Sequence, residues 1–222
     1  ILLLTFTRRA AREMTDRLKL SVGDAANAVT VGTFHHFCLL TMRRMPDQFG
    51  IQDFTIIDRD DQSSLMRLSR AGQVKGKEKF PKASQLVDIL SYSRNTDMDV
   101  LEYLRKYMDF DQETSSKILT VLADYRQRKQ SNRYLDFDDI LHLFVEKLHG
   151  DPSIRRQLQN RYEHILIDEM QDTNPLQWCI LDGLKDPAKL FCVGDDAQSI
   201  YAFRGADFRN VHSFQDRVPD SI

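Results

Sequence analysis

The sequence predicts an α/β fold built on a parallel sheet, and three features support this prediction. Several short runs are apolar and rich in β-branched residues, as buried parallel strands are. A helix-start signal follows each of these runs. The order of strand then helix repeats, which is typical of a doubly wound α/β layer. The predicted strands span residues 1–6, 28–31, 164–167 and 189–193.

The helices predicted after these strands begin at recognisable capping residues. Thr7 precedes a helix over 8–20, and Thr33 precedes a helix over 34–45. Pro175 opens a helix that continues over 176–184, where the N–H that proline lacks is not needed. Gly205 and Ala206 precede a last helix over 207–214. Strand and helix signals therefore alternate in the first and last parts of the chain.

The middle of the chain has a different pattern. From residue 51 to 133, apolar residues recur at helical spacing, and the one strand signal lies at 54–57. We therefore expect three segments: a first part of the α/β domain over 1–50, an all-helical insertion over 51–133, and a second part over 134–222. The insertion carries two basic clusters, one over 67–82 and one formed by Arg126, Arg128, Lys129 and Arg133. Either a solvated face or a phosphate-binding surface would explain them.

Composition excludes several classes of protein. The 222 residues are 41% apolar and 29% charged, with 31 basic and 33 acidic side chains, which is a globular balance with a net charge of −2. No apolar run approaches the roughly 20 residues of a membrane span, and no leader pattern leads us to expect secretion. Cys38, Cys179 and Cys192 have no C-x-x-C spacing, so we expect a reducing compartment, the cytoplasm. The apolar opening without an initiator Met leads us to expect a piece of a longer protein.

A pair of acids is the strongest chemical signal. Asp168 and Glu169 directly follow the predicted strand over 164–167. Ligands of parallel α/β sheets bind at the carboxyl ends of the strands. One acid can hold Mg²⁺ while the other polarises a water molecule for attack on a phosphoryl group. An apolar strand that ends in Asp-Glu also occurs without any catalytic role, so the neighbouring strand matters.

The next predicted strand leads to an amide and an aromatic pair. Gln198 follows the strand over 189–193, where its amide could contact both a terminal phosphate and the attacking water. Tyr201, Phe203 and Arg204 come soon after it. Aromatic rings stack on unpaired bases, and arginine can grip the backbone or stack in turn. The alternative is that Gln198 meets solvent and that both aromatic rings belong to the core.

Taken together, these residues resemble a known family, the UvrD/Rep-type superfamily 1 DNA helicases. Five segments match its motifs in family order. They are Thr5 to Met14 (motif Ia), Gly32 to His35 (motif Ib), Asp136 to Ile140 (the acidic return segment), Asp168 to Asn174 (motif II) and Val193 to Ala206 (motif III). The resemblance implies a RecA-like P-loop NTPase sheet that carries an inserted helical subdomain.

The resemblance also implies a role for each matched residue. Asp168 would serve Mg²⁺, Glu169 the hydrolytic water, and Gln198 the γ-phosphate of ATP. Arg17, in the helix after motif Ia, would approach the nucleotide phosphates. The track for single-stranded DNA would be formed by Phe6, Thr7, Arg8, His35, Tyr201, Phe203 and Arg204. The implied cofactors are ATP and Mg²⁺, and the implied partners are single-stranded and duplex DNA, without a membrane.

Two positions and one missing loop depart from the family pattern. Met170 stands where an aromatic residue is common, and Phe203 where tryptophan is frequent. The phosphate-binding loop G-x-x-x-x-G-K-[ST] does not occur in the sequence, so the sheet would be incomplete without the strand and loop that carry it. The resemblance implies most of the first motor domain of a 3′-to-5′ DNA helicase, and the missing loop leads us to expect little ATPase activity from this chain alone.

Two other functions fit these residues. A helicase–nuclease subunit of the recombination type shares the same motor motifs. A non-catalytic DNA-binding remnant would have lost its nucleotide loop, although it would have no reason to keep Asp168, Glu169 and Gln198.

Overall fold

The computed structural model describes residues 1–74, 80–198 and 214–219. It confirms an α/β protein with a parallel sheet and many helices. The chain divides into two compact units, Ile1–Ile51 with Leu141–Ile222 and Gln52–Ile140. The expected insertion over 51–133 stays a prediction as a domain assignment.

Six strands and eleven α-helices lie within the described residues. The strands are β1 (Leu2–Thr5), β2 (Thr30–Thr33), β3 (Thr55–Ile56), β4 (Tyr134–Leu135), β5 (His164–Ile167) and β6 (Lys189–Cys192). The helices are α1 (Arg8–Val22), α2 (Phe34–Arg44), α3 (Pro46–Phe49), α4 (Arg59–Ala71), α5 (Ala83–Thr96), α6 (Val100–Tyr107), α7 (Gln112–Ser131), α8 (Phe137–Gly150), α9 (Pro152–Gln159), α10 (Pro175–Leu184) and α11 (Phe214–Arg217).

The first unit contains a four-stranded sheet in the order β2-β1-β5-β6, with every neighbouring pair parallel. Leu4 of β1 pairs with Gly32 of β2 and with Ile167 of β5, and Ile167 pairs with Cys192 of β6. Because all four strands run in one direction, their last residues lie along a single edge. We call this the carboxyl edge of the sheet.

The second strand begins two residues later than the sequence pattern predicts. A 3₁₀ turn occupies Gly23–Ala28, and the Val29 N–H donates to the Ala26 carbonyl at 3.0 Å. Pairing with the first strand starts when the Thr30 N–H donates to the Ile1 carbonyl, also at 3.0 Å. The position of β2 is therefore fixed by long-range pairing, which the local pattern over 28–31 does not contain.

The helices that leave the carboxyl edge begin at the predicted capping residues. The Thr7 hydroxyl accepts a hydrogen bond from the Ala10 N–H at 3.1 Å, and Thr33 caps α2 in the same way. At α10, Asn174 and Gln177 form a reciprocal capping box, with Pro175 in the first turn. These caps pair N–H groups that a helix leaves unsatisfied at its start.

Aromatic side chains pack together in the core of the first unit. The ring centroid of Phe37 lies 5.5 Å from that of Phe144 and 5.9 Å from that of Tyr162. Phe49 stacks on Phe144 at 5.6 Å. All four residues are buried, so this cluster joins α2, α3 and α8 to the segment that leads into β5.

The second unit is a helical cluster with a short strand pair. Helices α4, α5, α6 and α7 enclose a core that includes Leu86, Ile89 and Tyr125. Strands β3 and β4 pair in parallel, with Thr55 opposite Tyr134. The strand signal predicted at 54–57 is thus found in the structure as β3.

A buried ion network holds part of this second unit. The Lys129 ammonium contacts the Asp136 carboxylate and lies 2.5 Å from an Asp139 oxygen, with 5% of the lysine side chain exposed. Arg94 pairs with Asp139 at 2.6 Å, and the Tyr125 hydroxyl donates to Asp136 at 2.9 Å. Burial alone would raise the pKa of Asp136, but Lys129 and Arg94 hold it well below its ordinary value. Lys129 is therefore part of a packed core, not of the solvated face that its basic neighbours suggest.

Candidate active site at the carboxyl edge of the sheet

The acid pair follows directly after a central strand of the sheet. The Asp168 N–H donates to the Leu4 carbonyl at 2.9 Å, which continues the pairing of β5 with β1 by one residue. On the other side, the Val193 N–H donates to the Ile167 carbonyl at 2.8 Å. Asp168 and Glu169 therefore begin where the sheet ends, between the ends of its two neighbouring strands.

Asp168 is half-buried at this edge. The hydroxyl of Thr5, the last residue of β1, donates to an Asp168 carboxylate oxygen at 3.4 Å. Burial raises the pKa of Asp168, and the neighbouring Glu169 carboxylate raises it further, while the Thr5 hydrogen bond acts in the opposite direction. A positively charged partner, such as a metal ion, would favour the ionised form of this carboxylate.

Glu169 has an unusual backbone conformation. Its φ of 57° and ψ of 46° lie in the left-handed region, which costs a residue other than glycine about 1–3 kcal/mol. A short 3₁₀ turn, Met170–Asp172, follows it, and the Met170 N–H donates to the Val193 carbonyl at 2.9 Å. The chain thus turns sharply after β5 and remains tied to the loop after β6.

The side chain of Gln171 joins the acid pair to that loop. Its amide nitrogen donates to a Glu169 carboxylate oxygen at 2.7 Å. Its amide oxygen accepts the Asp195 N–H at 3.0 Å. Gln171 stands two residues after the acid pair, and no pattern in the sequence alone indicates its role.

Gln198 lies at the same edge of the sheet, in a 3₁₀ turn that follows β6. Its backbone N–H donates to the Asp195 carbonyl at 3.0 Å, and its side-chain amide donates to the Asp195 carboxylate at 2.7 Å. Asp195 in turn contacts Gln171, so a chain of hydrogen bonds runs from Glu169 to Gln198. The structure brings the two predicted catalytic segments together through these intermediates.

Four of the residues predicted for a DNA track lie along the β2 and β1 end of the same edge. Phe6 is half-buried just after β1, Thr7 caps α1, and Arg8 is an exposed residue of its first turn. His35 is half-buried in the first turn of α2, which follows β2. Because β1 and β2 are paired and parallel, these residues share one edge. Their role in binding DNA stays a prediction.

Arg17 is placed differently from the other predicted residues. It is exposed on α1 and forms an ion pair with Glu13. At 1.5 Å per residue, it lies about 13.5 Å along the helix axis from Arg8. Its approach to the nucleotide phosphates stays a prediction.

Tyr201, Phe203 and Arg204 lie outside the described residues, as do the predicted helix start at 205–206 and most of the helix predicted over 207–214. Lys75, Lys77 and Lys79 of the first basic cluster also lie outside them.

The chemistry of the donor set fits a magnesium ion held with a substrate. Mg²⁺ is usually bound by one or two carboxylates together with waters and substrate phosphates. Asp168 supplies one such carboxylate at the sheet edge, with the Thr5 hydroxyl beside it. Within the described ranges, no three His, Cys, Asp or Glu residues are grouped so as to hold a metal by themselves. No helix in the described part of the chain has the length and apolar character needed to cross a membrane.

The sequence of this chain is similar to those of known DNA helicases. The family model for the UvrD/REP helicase N-terminal domain matches residues 1–219. The chain is 34% identical over 223 residues to the ATP-dependent DNA helicase PcrA of Staphylococcus aureus, covering 100% of this chain and 30% of that protein. It is 34% identical over 224 residues to the protein of the same name from Staphylococcus epidermidis, with the same coverage. The chain therefore spans about 30% of the length of these curated relatives.

Proposed function

This chain belongs to the UvrD/REP helicase N-terminal domain family, and from that membership we propose that it is part of the first motor domain of an ATP-dependent DNA helicase. One observation supports the assignment most. Asp168 and Glu169 stand at the carboxyl edge of a parallel sheet and are joined by hydrogen bonds to the Gln198 segment. Such an edge is where α/β sheets bind their ligands.

We propose that the parallel sheet is an incomplete RecA-like sheet. Within the described residues, β6 is an outer strand of the sheet. Its residue Phe191 is 62% exposed, and Val193, which follows the strand, is 51% exposed. Exposed apolar residues beside a parallel sheet are suited to burial by a further element, because such sheets are normally covered on both faces. We propose that a strand and phosphate-binding loop outside these 222 residues complete the sheet there. In the same proposal, residues 51–133 form the inserted helical subdomain.

In the proposed site, Asp168 would hold Mg²⁺. The ion, when bound with ATP, would neutralise charge on the β- and γ-phosphates. The Thr5 hydroxyl donates a hydrogen bond to the Asp168 carboxylate at 3.4 Å. Burial makes this carboxylate less stable when ionised and alone, so it favours a cationic partner.

Glu169 would act on the attacking water. Its carboxylate orients the water and accepts a proton as the water oxygen bonds to the γ-phosphorus, and the bond from that phosphorus to the ADP oxygen breaks. The left-handed backbone of Glu169 and its hydrogen bond to Gln171 fix the direction of this carboxylate. Gln198 would then contact the γ-phosphate through its amide, which Asp195 positions in the structure.

DNA would bind along the same edge of the sheet. Arg8 offers an exposed positive charge for a phosphate, and Phe6 and His35 offer rings close to it in sequence and register. Tyr201, Phe203 and Arg204 would add base stacking and a backbone contact. Movement along single-stranded DNA in the 3′-to-5′ direction, with unwinding of duplex DNA, is part of this proposal by family resemblance.

The cysteines support a place in the cytoplasm. Cys38, Cys179 and Cys192 form no disulfide bond within the described residues, and they differ widely in exposure. Scattered thiols outside disulfide bonds are usual for proteins of a reducing compartment.

ATP hydrolysis by the full-length protein tests the proposal. We expect single-stranded DNA to stimulate hydrolysis, and we expect Asp168→Asn to abolish it. Asp182→Asn, which removes an acid of α10 that pairs with Lys185, is the matched control and keeps activity. Duplexes with a 3′ or a 5′ single-stranded tail report the direction of unwinding. Hydrolysis that ignores DNA, or that survives in Asp168→Asn, would contradict the proposal.

The isolated 222-residue chain provides a second test. It contains no G-x-x-x-x-G-K-[ST] loop, so we expect little or no ATP turnover from it. It should still bind single-stranded DNA weakly, with an affinity that falls steeply as salt rises. DNA-stimulated turnover by this chain alone would refute the proposed division of the site.

A further inference from the structure

Gln171 is a buried polar side chain with contacts on two separate segments. Its side chain has no exposed surface. One end of its amide meets the Glu169 carboxylate, and the other meets the backbone N–H of Asp195, 24 positions away. Buried polar groups nearly always have hydrogen-bond partners. The partners of Gln171 are notable because one belongs to a predicted reacting group and the other to a separate loop.

The two contacts fix which way the amide points. A carboxylate can only accept a hydrogen bond, so it must face the NH₂ group of the glutamine. A backbone N–H can only donate, so Asp195 must face the carbonyl oxygen. Reversing the amide would break both bonds. The chemistry of the neighbours therefore requires a group that donates at one end and accepts at the other, at the length of glutamine.

Gly194 makes room for this arrangement. A Cβ at that position would lie 2.7 Å from the Gln171 amide oxygen and 3.3 Å from its backbone nitrogen. Any larger residue would push on the amide directly. The loop after β6 thus approaches Gln171 as closely as a backbone without a side chain allows, and the bond to Asp195 depends on that approach.

We propose that Gln171 is a positioning residue that sets the Glu169 carboxylate against the loop carrying Gln198. This rests on the proposed function, in which Glu169 acts on water and Gln198 on the γ-phosphate. The hydrogen bond to Glu169 orients its carboxylate. The hydrogen bond from Asp195 makes the position of the Gln171 amide depend on the loop after β6. Asp195 also accepts from the Gln198 side chain, so displacement of the loop and misdirection of Glu169 are linked.

Two substitutions of Gln171 separate its two contacts. Gln171→Met removes the donor and the acceptor with little change in length. Gln171→Glu keeps an acceptor for Asp195 but loses the donor to Glu169 and places a second negative charge beside it. If the contact with Glu169 is the important one, both variants lose activity. If the Asp195 contact alone matters, Gln171→Glu retains activity.

The measurement is steady-state ATP hydrolysis by the full-length protein with single-stranded DNA. We expect kcat to fall about 100-fold in both variants, the scale expected for a misplaced reacting group, while KM for ATP stays unchanged. In single-turnover experiments on a Glu169→Gln background, Gln171→Met should cause no further loss, because a positioning residue acts only through the group it positions.

Each outcome has a defined meaning. Wild-type kcat in Gln171→Met, with Glu169→Gln inactive, overturns this inference and leaves the proposed function standing. Full activity of Glu169→Gln overturns the proposed function and this inference with it. If melting curves show that Gln171→Met does not fold, Gly194→Ala replaces it as the test, because its Cβ would displace the same amide. A lower kcat at unchanged KM in Gly194→Ala supports the inference. An unchanged kcat overturns it.

Discussion

Thr5 and Asp168 are 163 positions apart in the sequence, yet the Thr5 hydroxyl donates to the Asp168 carboxylate at 3.4 Å. The contact exists because β1 and β5 are adjacent and parallel and end at the same edge of the sheet. It brings together a residue of the first strand and the first acid of the pair. The candidate active site is thus assembled by the topology of the sheet.

Removing the charge of Asp168 should stabilise the fold while it destroys function. Burial and Glu169 raise the pKa of Asp168, so the folded protein loses stability at pH values where this carboxylate is ionised. In EDTA at neutral pH, Asp168→Asn should therefore melt at or above the temperature of the wild type. The difference should shrink as the pH falls and wild-type Asp168 binds a proton. A variant that melts clearly lower at neutral pH would contradict this account.

Lys129 should be essential to the stability of the second unit. Lys129→Met leaves the Asp136 and Asp139 carboxylates buried without their main partner, which costs about 3–5 kcal/mol when a buried pair is broken. Lys117→Met on the same helix is the matched control. Lys117 pairs with the exposed Glu113, and such pairs are worth about 0–1 kcal/mol. Urea unfolding followed by circular dichroism compares them, and equal losses would show that the network is not stabilising.

Gly183 should not tolerate alanine, although it lies within helix α10. A Cβ there would lie 2.5 Å from Leu148 Cδ2 and 2.8 Å from Leu148 Cγ, and Leu148 is fully buried. The overpacking costs about 1–3 kcal/mol, which exceeds the gain of roughly 0.5–1 kcal/mol from replacing a helical glycine. Gly150→Ala, where a Cβ meets open space, should be neutral or slightly stabilising. Thermal melts measure both, and a stabilised Gly183→Ala would mean that Leu148 moves freely.

Arg8 should contribute a phosphate contact to DNA binding. Arg8→Ala should weaken the affinity for single-stranded DNA similarly for all sequences. The slope of log K against log salt should become shallower by about 0.7, the contribution of one phosphate on a single strand. Arg43→Ala is the control, because Arg43 is exposed in the last turn of α2, away from the carboxyl edge. Fluorescence anisotropy over a salt series measures the slopes, and an unchanged slope for Arg8→Ala would exclude the contact.

The local sequence predicted the bounds of helices and strands better than the contacts between distant segments. The strand over 164–167 was predicted with the bounds it has, because apolar residues there are flanked by polar ones and followed by two acids. Pro175 and Thr7 marked helix starts correctly, because capping and first-turn preferences involve only a few neighbouring residues. The strand over 28–31 was wrong by two residues, because its start depends on pairing with Ile1.

The features that the sequence did not predict also depend on contacts between separate segments of the chain. Lys129 belongs to a basic cluster that the sequence suggests is solvated, and its burial depends on Asp136 and Asp139 after the next turn of the chain. Gln171 connects Glu169 to the loop after β6 through its hydrogen bond with Asp195. That hydrogen bond depends on the pairing of β5 with β6. Neither spacing nor composition indicates which polar side chain the sheet will enclose.

The central claim, that Glu169 activates the water that cleaves ATP, is tested most directly by Glu169→Gln in the full-length protein. Binding of a fluorescent ATP analogue and single-turnover hydrolysis are measured on the same preparation, with single-stranded DNA present. We predict unchanged nucleotide binding and a hydrolysis rate about 100- to 10,000-fold lower, the range expected for loss of a general base. Hydrolysis at the wild-type rate would contradict the account.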